Sequence, residues 1–192
     1  MKILWLGPYN KNLIEFISAS NKIIHIEEKA SAESLIAEKA DFVISFGYRY
    51  IISKEVIDYY KDRIVNLHIS FLPWNRGADP NFWSFFENTP KGITIHYIDE
   101  GIDTGDIIVQ KLVDFSEEET LVTSYKKLID GIENLFKEVW AAILTGNNER
   151  IVQKGKGSFH RSVDKEKYLY LLKDGWDTKV KHIIDAGKGK MH

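Results

Sequence analysis

Apolar runs of strand length alternate with amphipathic stretches of helix length over residues 2–68. The runs KILWLG (2–7), KIIHIEE (22–28), DFVISFG (41–47) and RIVNLH (63–68) predict four strands. Between them, NLIEFISAS (12–20), SAESLIAEKA (31–40) and SKEVIDYY (53–60) predict helices, the last with Ser53 as its N-cap. Apolar strands alternating with helices predict an α/β fold. The expected form is a mostly parallel sheet with helices on both faces and right-handed crossovers.

Past residue 90 the pattern changes. GITIHYID (92–99) and DIIVQKLVDF (106–115) predict two strands that return on each other across the loop EGIDTG. Leu121, Tyr125, Leu128, Ile132, Leu135, Phe136, Val139 and Ile143 then recur at three- and four-residue steps, the mark of one buried stripe on a long helix. Gly146 is the expected stop. Residues 149–192 read as a strand (RIVQK), a short helix at 164–173, and the polar stretch DGWDTKVKHIIDAGKGK. The predicted organisation is a catalytic core over 1–147 and a short C-terminal appendage over 148–192, a strand plus short helices.

Composition narrows the function classes. The 192 residues are 44% hydrophobic and 28% charged, enough for a sizeable core. The net charge of −2 gives no large positive field, so no nucleic-acid partner is expected. With no cysteine there are no disulfides, no thiolate catalysis and no cysteine-type zinc site. No apolar run reaches the ~18 residues of a membrane span. The opening MKILWLGPYN is interrupted too soon for a signal peptide and reads as a strand. A cytoplasmic setting, with a homodimer as one arrangement, fits these features.

The chemistry concentrates between residues 66 and 106. Asn66 and His68 end the fourth strand two residues apart, so a strand aims both at one face. The carboxyl end of a parallel strand is where open α/β sheets bind ligands. Two readings stand for the pair: polar groups satisfied by loop backbone, or a site. A second cluster, DEGIDTGD, holds Asp99, Glu100, Asp103 and Asp106. It can be read as a solvated acidic turn, a cation site, or a carboxylate aimed back at His68. Its spacing does not match a helix–loop–helix calcium loop, and no metal is expected. Between the clusters, Pro73, Asn75, Gly77 and Pro80 break regular structure. Asp79-Pro80 has the form of an N-cap and first helical residue. Trp74, Trp83, Phe85 and Phe86 predict an aromatic wall there, with Phe82 or Phe86 as core. Arg76 is a candidate anion contact.

The segments NLHISFLPWNRGADPNFWS (66–84) and GITIHYIDEGIDTGDII (92–108) resemble the folate-dependent formyltransferases. That pattern is Asn-x-His-x-Ser-x-Leu-Pro, then Arg-Gly or Lys-Gly, then Gly-x-Thr-x-His, then an Asp-x-Gly loop. The resemblance implies a Rossmann-like core, 10-formyltetrahydrofolate as co-substrate and a primary amine as acceptor. It also implies a catalytic trio of Asn66, His68 and Asp103, and no metal. By position, the pterin contacts would be Tyr50, Ile51 and Ile52 in FGYRYIIS, with Ile102 and Asp103 in the acidic loop. After the first strand stands GPYNKN, not the Gly- and Ser-rich phosphate loop of the glycinamide ribonucleotide enzymes. Only some forty residues follow the core, fewer than the C-terminal barrel of the methionyl-tRNA enzymes. The chain is most similar in character to the branch acting on nucleotide-linked amino sugars. Tyr9, Asn10, Trp74, Arg76 and Trp83 are its expected substrate contacts. The competing readings are a glycinamide ribonucleotide or methionyl-tRNA enzyme, and a non-catalytic folate or nucleotide-binding module.

Overall fold

The computed structural model describes residues 1–189; the end of the expected appendage, 190–192, lies outside the described residues. Among the described residues eight strands form: β1 Lys2–Leu6, β2 Lys22–Ile26, β3 Phe42–Phe46, β4 Ile64–His68, β5 Arg76–Gly77, β6 Gly92–Tyr97, β7 Ile107–Leu112 and β8 Phe159–His160. Six α-helices accompany them: α1 Lys11–Ser18, α2 Ala32–Ala37, α3 Lys54–Tyr59, α4 Pro80–Phe86, α5 Leu121–Thr145 and α6 Val180–Lys188. The main sheet has the order β2-β1-β3-β4-β6-β7, and β5 and β8 form a separate pair.

β1 pairs in parallel with β2 and β3, and β3 with β4. These strands carry the near-continuous apolar runs of a sheet covered on both faces; Ile3, Leu4, Trp5 and Leu6 are all 0% exposed. The last two strands turn back, as the return across EGIDTG predicts. Tyr97 N donates to Asp106 O at one end of the β6–β7 pair, and Val113 N to Lys91 O at the other, which requires antiparallel strands.

The chain packs as two compact units. The first comprises residues 1–68, 95–109 and 133–152. Here strand order runs outward from β1 to β2 on one side and to β3 on the other, a topological switch point. The loops after β1 and β3 meet closely there. A Cβ on Gly7, whose φ is +123°, would lie 2.0 Å from Phe46 O. Only glycine suits that conformation and that space.

The second unit comprises residues 69–94, 110–132 and those from 153 onward. Its core gathers Phe82, Trp83, Phe85 and Phe86 of α4 with Tyr168, Leu171, Val180 and Ile183. α4 and α6 approach so closely that a Cβ on Gly187 would lie 1.8 Å from Phe86 O. Thus residues 153–189 supply core to this unit, including an amphipathic helix, α6, hidden in the polar stretch after 173.

Several local expectations change. RIVQK forms no ladder; Ile151 makes a single bridge to Ile107. Positive φ at Gly155 and Gly157 interrupts the extended run, and the paired residues are Phe159–His160. The helix expected at 164–173 is 3₁₀, Ser162–Leu171. Pro80 starts α4, but Asp79 adopts φ +54° and its side chain pairs with Lys165 instead of capping. On α5, Tyr125 leaves the buried stripe, 40% exposed against Trp176. The buried place beside it goes to Ser124, which donates to Asn81 Oδ1 at 3.1 Å. No helix among the described residues is long and apolar enough to cross a membrane.

Candidate active site

β4 and β6 carry Asn66, His68 and His96, and the loop after β6 brings Asp103 back to them. Asn66 Nδ2 lies 3.0 Å from Asp103 Oδ1 and 3.3 Å from His96 Nε2. A carboxylate oxygen only accepts, so the amide nitrogen must face it. His68 Nδ1 lies 3.7 Å from Asp103 Oδ2, and His96 Nε2 3.4 Å from Asp103 Oδ1. The two imidazoles stand edge to face, with centroids 6.3 Å apart. His96 Nδ1 is 2.7 Å from Tyr97 O, so Nδ1 carries a proton and Nε2 is the nitrogen offered to the site. His68 is 7% exposed and His96 2%, so their interactions act largely out of water.

The acidic loop gives each carboxylate a separate task. Asp99 Oδ1 accepts from Gly101 N at 3.1 Å and Thr104 Oγ1 at 2.6 Å, closing the turn. Glu100 pairs with Lys54 Nζ at 2.6 Å. That hydrogen bond, with a second to Asp58, holds the Lys54 ammonium above the ordinary lysine range. Asp106 accepts from Arg150 Nε at 3.3 Å, and Arg150 also pairs with Asp62 and covers the Tyr97 ring. Asp103 alone turns inward, from a backbone φ of +54°. A Cβ on Gly105 would lie 1.9 Å from Tyr97 O, so the loop passes as close to β6 as a chain can. The loop is a built platform for one carboxylate.

The remaining expected residues separate into exposed and engaged. Tyr50 (36% exposed), Ile51 (85%) and Ile102 (45%) leave apolar surface in water on the loops after β3 and β6. Ile52 packs partly against the core. Tyr50 leans edge-on against Tyr48. Tyr9 is 59% exposed, edge-on to His25. Asn10 caps α1: its Oδ1 accepts from Leu13 N at 2.9 Å and its Nδ2 donates to Glu133 Oε1 at 2.7 Å. Glu133 is buried on α5 and takes a second amide from Asn12 at 2.8 Å, so this loop is fixed from below.

In the second unit Trp74 is 36% exposed, but Trp83 is only 3% exposed. Trp83 stacks on His160 at 3.9 Å and meets Phe82, Phe86 and Tyr168 edge-on. This corrects the expectation of a substrate contact: the helical spacing of α4 turns all of its aromatics into core. Arg76 is half-buried, with Nε at 3.1 Å and Nη2 at 2.7 Å from Gln153 Oε1. One residue of the cluster around Asp103 has no individual mark in the sequence, His96. His96 sits in an apolar strand and was visible only as the final position of Gly-x-Thr-x-His.

A family model described as Formyl transferase matches residues 11–139. Among solved structures, the formyltransferase PseJ from Anoxybacillus kamchatkensis is 51% identical, with 97% of this chain and 100% of that chain covered and a TM-score of 0.94. That crystal structure is a complex with UDP-4,6-dideoxy-4-formamido-L-AltNAc and tetrahydrofolate. A sugar N-formyltransferase from a Shewanella species is 25% identical, covering 96% of this chain and 86% of that one at a TM-score of 0.79. A curated methionyl-tRNA formyltransferase from Fusobacterium nucleatum is 37% identical over 131 residues, 65% of this chain and 42% of that protein. The chain spans about half the length of the curated relatives it matches, 42% and 50% for the first two.

Proposed function

The chain belongs to the formyl transferase family, and from that premise we propose that it transfers a formyl group from 10-formyltetrahydrofolate to the amine of a nucleotide-linked 4-amino-4,6-dideoxy sugar. One observation carries this reading. A protein 51% identical along its whole length binds UDP-4,6-dideoxy-4-formamido-L-AltNAc and tetrahydrofolate. Those are the two products such a transfer would leave.

The co-substrate supplies a formyl carbon bonded to a nitrogen leaving group. The chain's residues bind it and manage charge. Exposed Ile51 and Ile102, with Tyr50 and the half-buried Ile52, fit the flat face of a pterin. As the amine attacks, negative charge grows on the formyl oxygen. His68, whose Nδ1 faces Asp103, meets that charge. Asn66 already aims its amide at Asp103 and His96, and the longer contact, 3.3 Å to His96, is the one it releases to donate to the oxygen. Asp103 orients His68 and, through water, takes the proton the amine loses. A proton returned to the leaving nitrogen completes the exchange, giving a formamide and tetrahydrofolate. Tyr9, exposed on the loop after β1, is the proposed contact for the acceptor's base or sugar.

The test offers 10-formyltetrahydrofolate with UDP-4-amino-4,6-dideoxy-L-AltNAc, glycinamide ribonucleotide and methionyl-tRNA in parallel. The amino sugar is expected to be formylated with the highest kcat/KM. Faster formylation of either other acceptor replaces this reading with the corresponding one.

A further inference from the structure

Lys91 is an ammonium without a counter-charge at the wall of a cavity. Among the described residues of the second unit, Lys91 and Lys165 are the half-buried lysines; the others are exposed. Lys165 pairs with Asp79, but no ion pair among the described residues includes Lys91. Its Nζ donates to Thr89 O at 3.0 Å and lies over the Phe85 ring, 5.2 Å from the centroid. The cavity beside it holds about 410 Å³ and is walled by Phe85, Leu112, Phe115 and Val180. Leu112, Asp114 and Glu117 also line it and are exposed, so a small molecule reaches it from water. We propose that Lys91 is a nucleophilic amine and a site of N-acylation, with a small acyl phosphate as the donor. This does not rest on the identity of the formyl acceptor.

The charged groups around Lys91 are engaged elsewhere or face water. Asp114 is exposed, and Glu117 is taken by Lys181 at 3.2 Å. On the neighbouring elements, Glu87 beside α4 lies 3.2 Å from His160 Nε2, Asp185 of α6 pairs with Lys181 at 3.4 Å, and Lys111 of β7 is exposed. Lys127 of α5 sits over the Phe115 ring at 5.0 Å and adds positive charge on that wall. Burial accordingly holds the Lys91 ammonium below the ordinary lysine range. A lysine desolvated in this way presents more neutral amine, and the neutral amine is the nucleophile.

The bond to Thr89 O decides what this amine can become. Nζ attacks the acyl carbon, the C–N bond forms and the C–O bond to phosphate breaks. Inorganic phosphate leaves with that electron pair, and the proton shed by the nitrogen passes to water. The resulting amide is neutral, as the apolar walls favour, and keeps one N–H for Thr89 O. A carbonyl compound would give an imine instead, which has no N–H when neutral and restores the charge when protonated.

The test uses the full chain with acetyl phosphate as the probe, and follows the acetyl occupancy of each lysine over time by peptide mass spectrometry. Lys91 is expected to be acetylated about threefold or more faster near neutral pH than the exposed Lys29, Lys61 and Lys156. Its rate should level off below the ordinary lysine value of about 10.4 as pH is raised. Lys91→Arg, which keeps the charge and cannot be acylated in this way, should lose the fast site while the exposed lysines react as before. Protein acetylated at Lys91 should have a urea midpoint no lower than the unmodified protein, because a desolvated charge has given way to a hydrogen-bonded amide. Acetylation at Lys91 no faster than at the three exposed lysines overturns the proposal, as does a rate that still climbs above about pH 10.4. A lowered urea midpoint overturns the match between the amide and the site, and with it the choice of an acyl donor.

Discussion

Asn66 donates to Asp103 across a gap of 37 residues, 3.0 Å from Nδ2 to Oδ1, and this bond joins the end of a parallel strand to the inward point of a surface loop. It fixes the one carboxylate that faces both histidines. Replacing either partner should therefore abolish the arrangement and not merely weaken it. Asn66→Ala, His68→Ala and Asp103→Asn are each expected to lower kcat on the order of a hundredfold or more, with circular dichroism unchanged. Near-normal turnover by any one of these folded variants removes that residue from the mechanism.

His96 should matter through its neighbours. An asparagine there can still donate to Tyr97 O in place of Nδ1, yet it withdraws the Nε2 that lies 3.3 Å from Asn66 and 3.4 Å from Asp103. His96→Asn is expected to lower kcat about tenfold, and the double variant with Asn66→Ala to be no slower than Asn66→Ala alone, since contacting residues do not act additively. Fully multiplicative losses would show that His96 acts independently of this pair.

The reason His96 escapes the sequence is instructive. Asn66 and His68 stand out because polar residues interrupt a strand at its carboxyl end, where chemistry is expected. His96 lies inside a six-residue strand that is buried throughout, and a histidine there has the same appearance as a satisfied core residue. Elements in the first unit follow from periodicity, because each strand is a short apolar run bounded by turns. The C-terminal segment does not. Its polar composition hides Val180, Ile183 and Gly187, which face α4 at helical steps and are legible only once a partner helix is known. Trp83 shows the converse: an aromatic beside a turn suggests a ligand wall, but α4 is so short and so enclosed that every face of it is buried.

The close pass of the acidic loop gives a steric prediction. Alanine at Gly105 would place a methyl 1.9 Å from Tyr97 O, and the backbone there cannot yield without shifting the loop. Asp103 would move with it, and misplacement of a reacting group by about 1 Å costs on the order of a hundredfold. Gly146→Ala is the contrast: φ is +66° but nothing lies within 4 Å, so stability should fall by about 1 kcal/mol with kcat unaltered. Steady-state kinetics beside urea denaturation separates the two. Equal kcat in both variants would mean that the loop adapts freely and does not hold Asp103 in place.

Tyr60 gives a stability prediction with a defined pH dependence. It is 0% exposed, its hydroxyl donates to Leu35 O at 2.9 Å, and it accepts from Ala40 N at 3.3 Å. Burial pushes its pKa up, against a smaller opposing effect from the Ala40 amide. Below the ordinary tyrosine value of about 10, the phenol is neutral in both folded and unfolded chains. Above it the unfolded chain releases the proton while the folded protein keeps it. The folded state then binds more protons, so stability falls as pH rises through that window. Tyr60→Phe removes both hydrogen bonds and leaves a buried carbonyl and amide unpaired, a cost of about 1–3 kcal/mol near neutral pH. It also removes the alkaline loss. The stability gap between the two proteins should therefore narrow as pH is taken from about 8 to about 10.5, the range that spans the ordinary tyrosine pKa. Urea denaturation at both pH values measures it, and a gap that stays constant or widens means that burial does not raise the Tyr60 pKa in the folded protein.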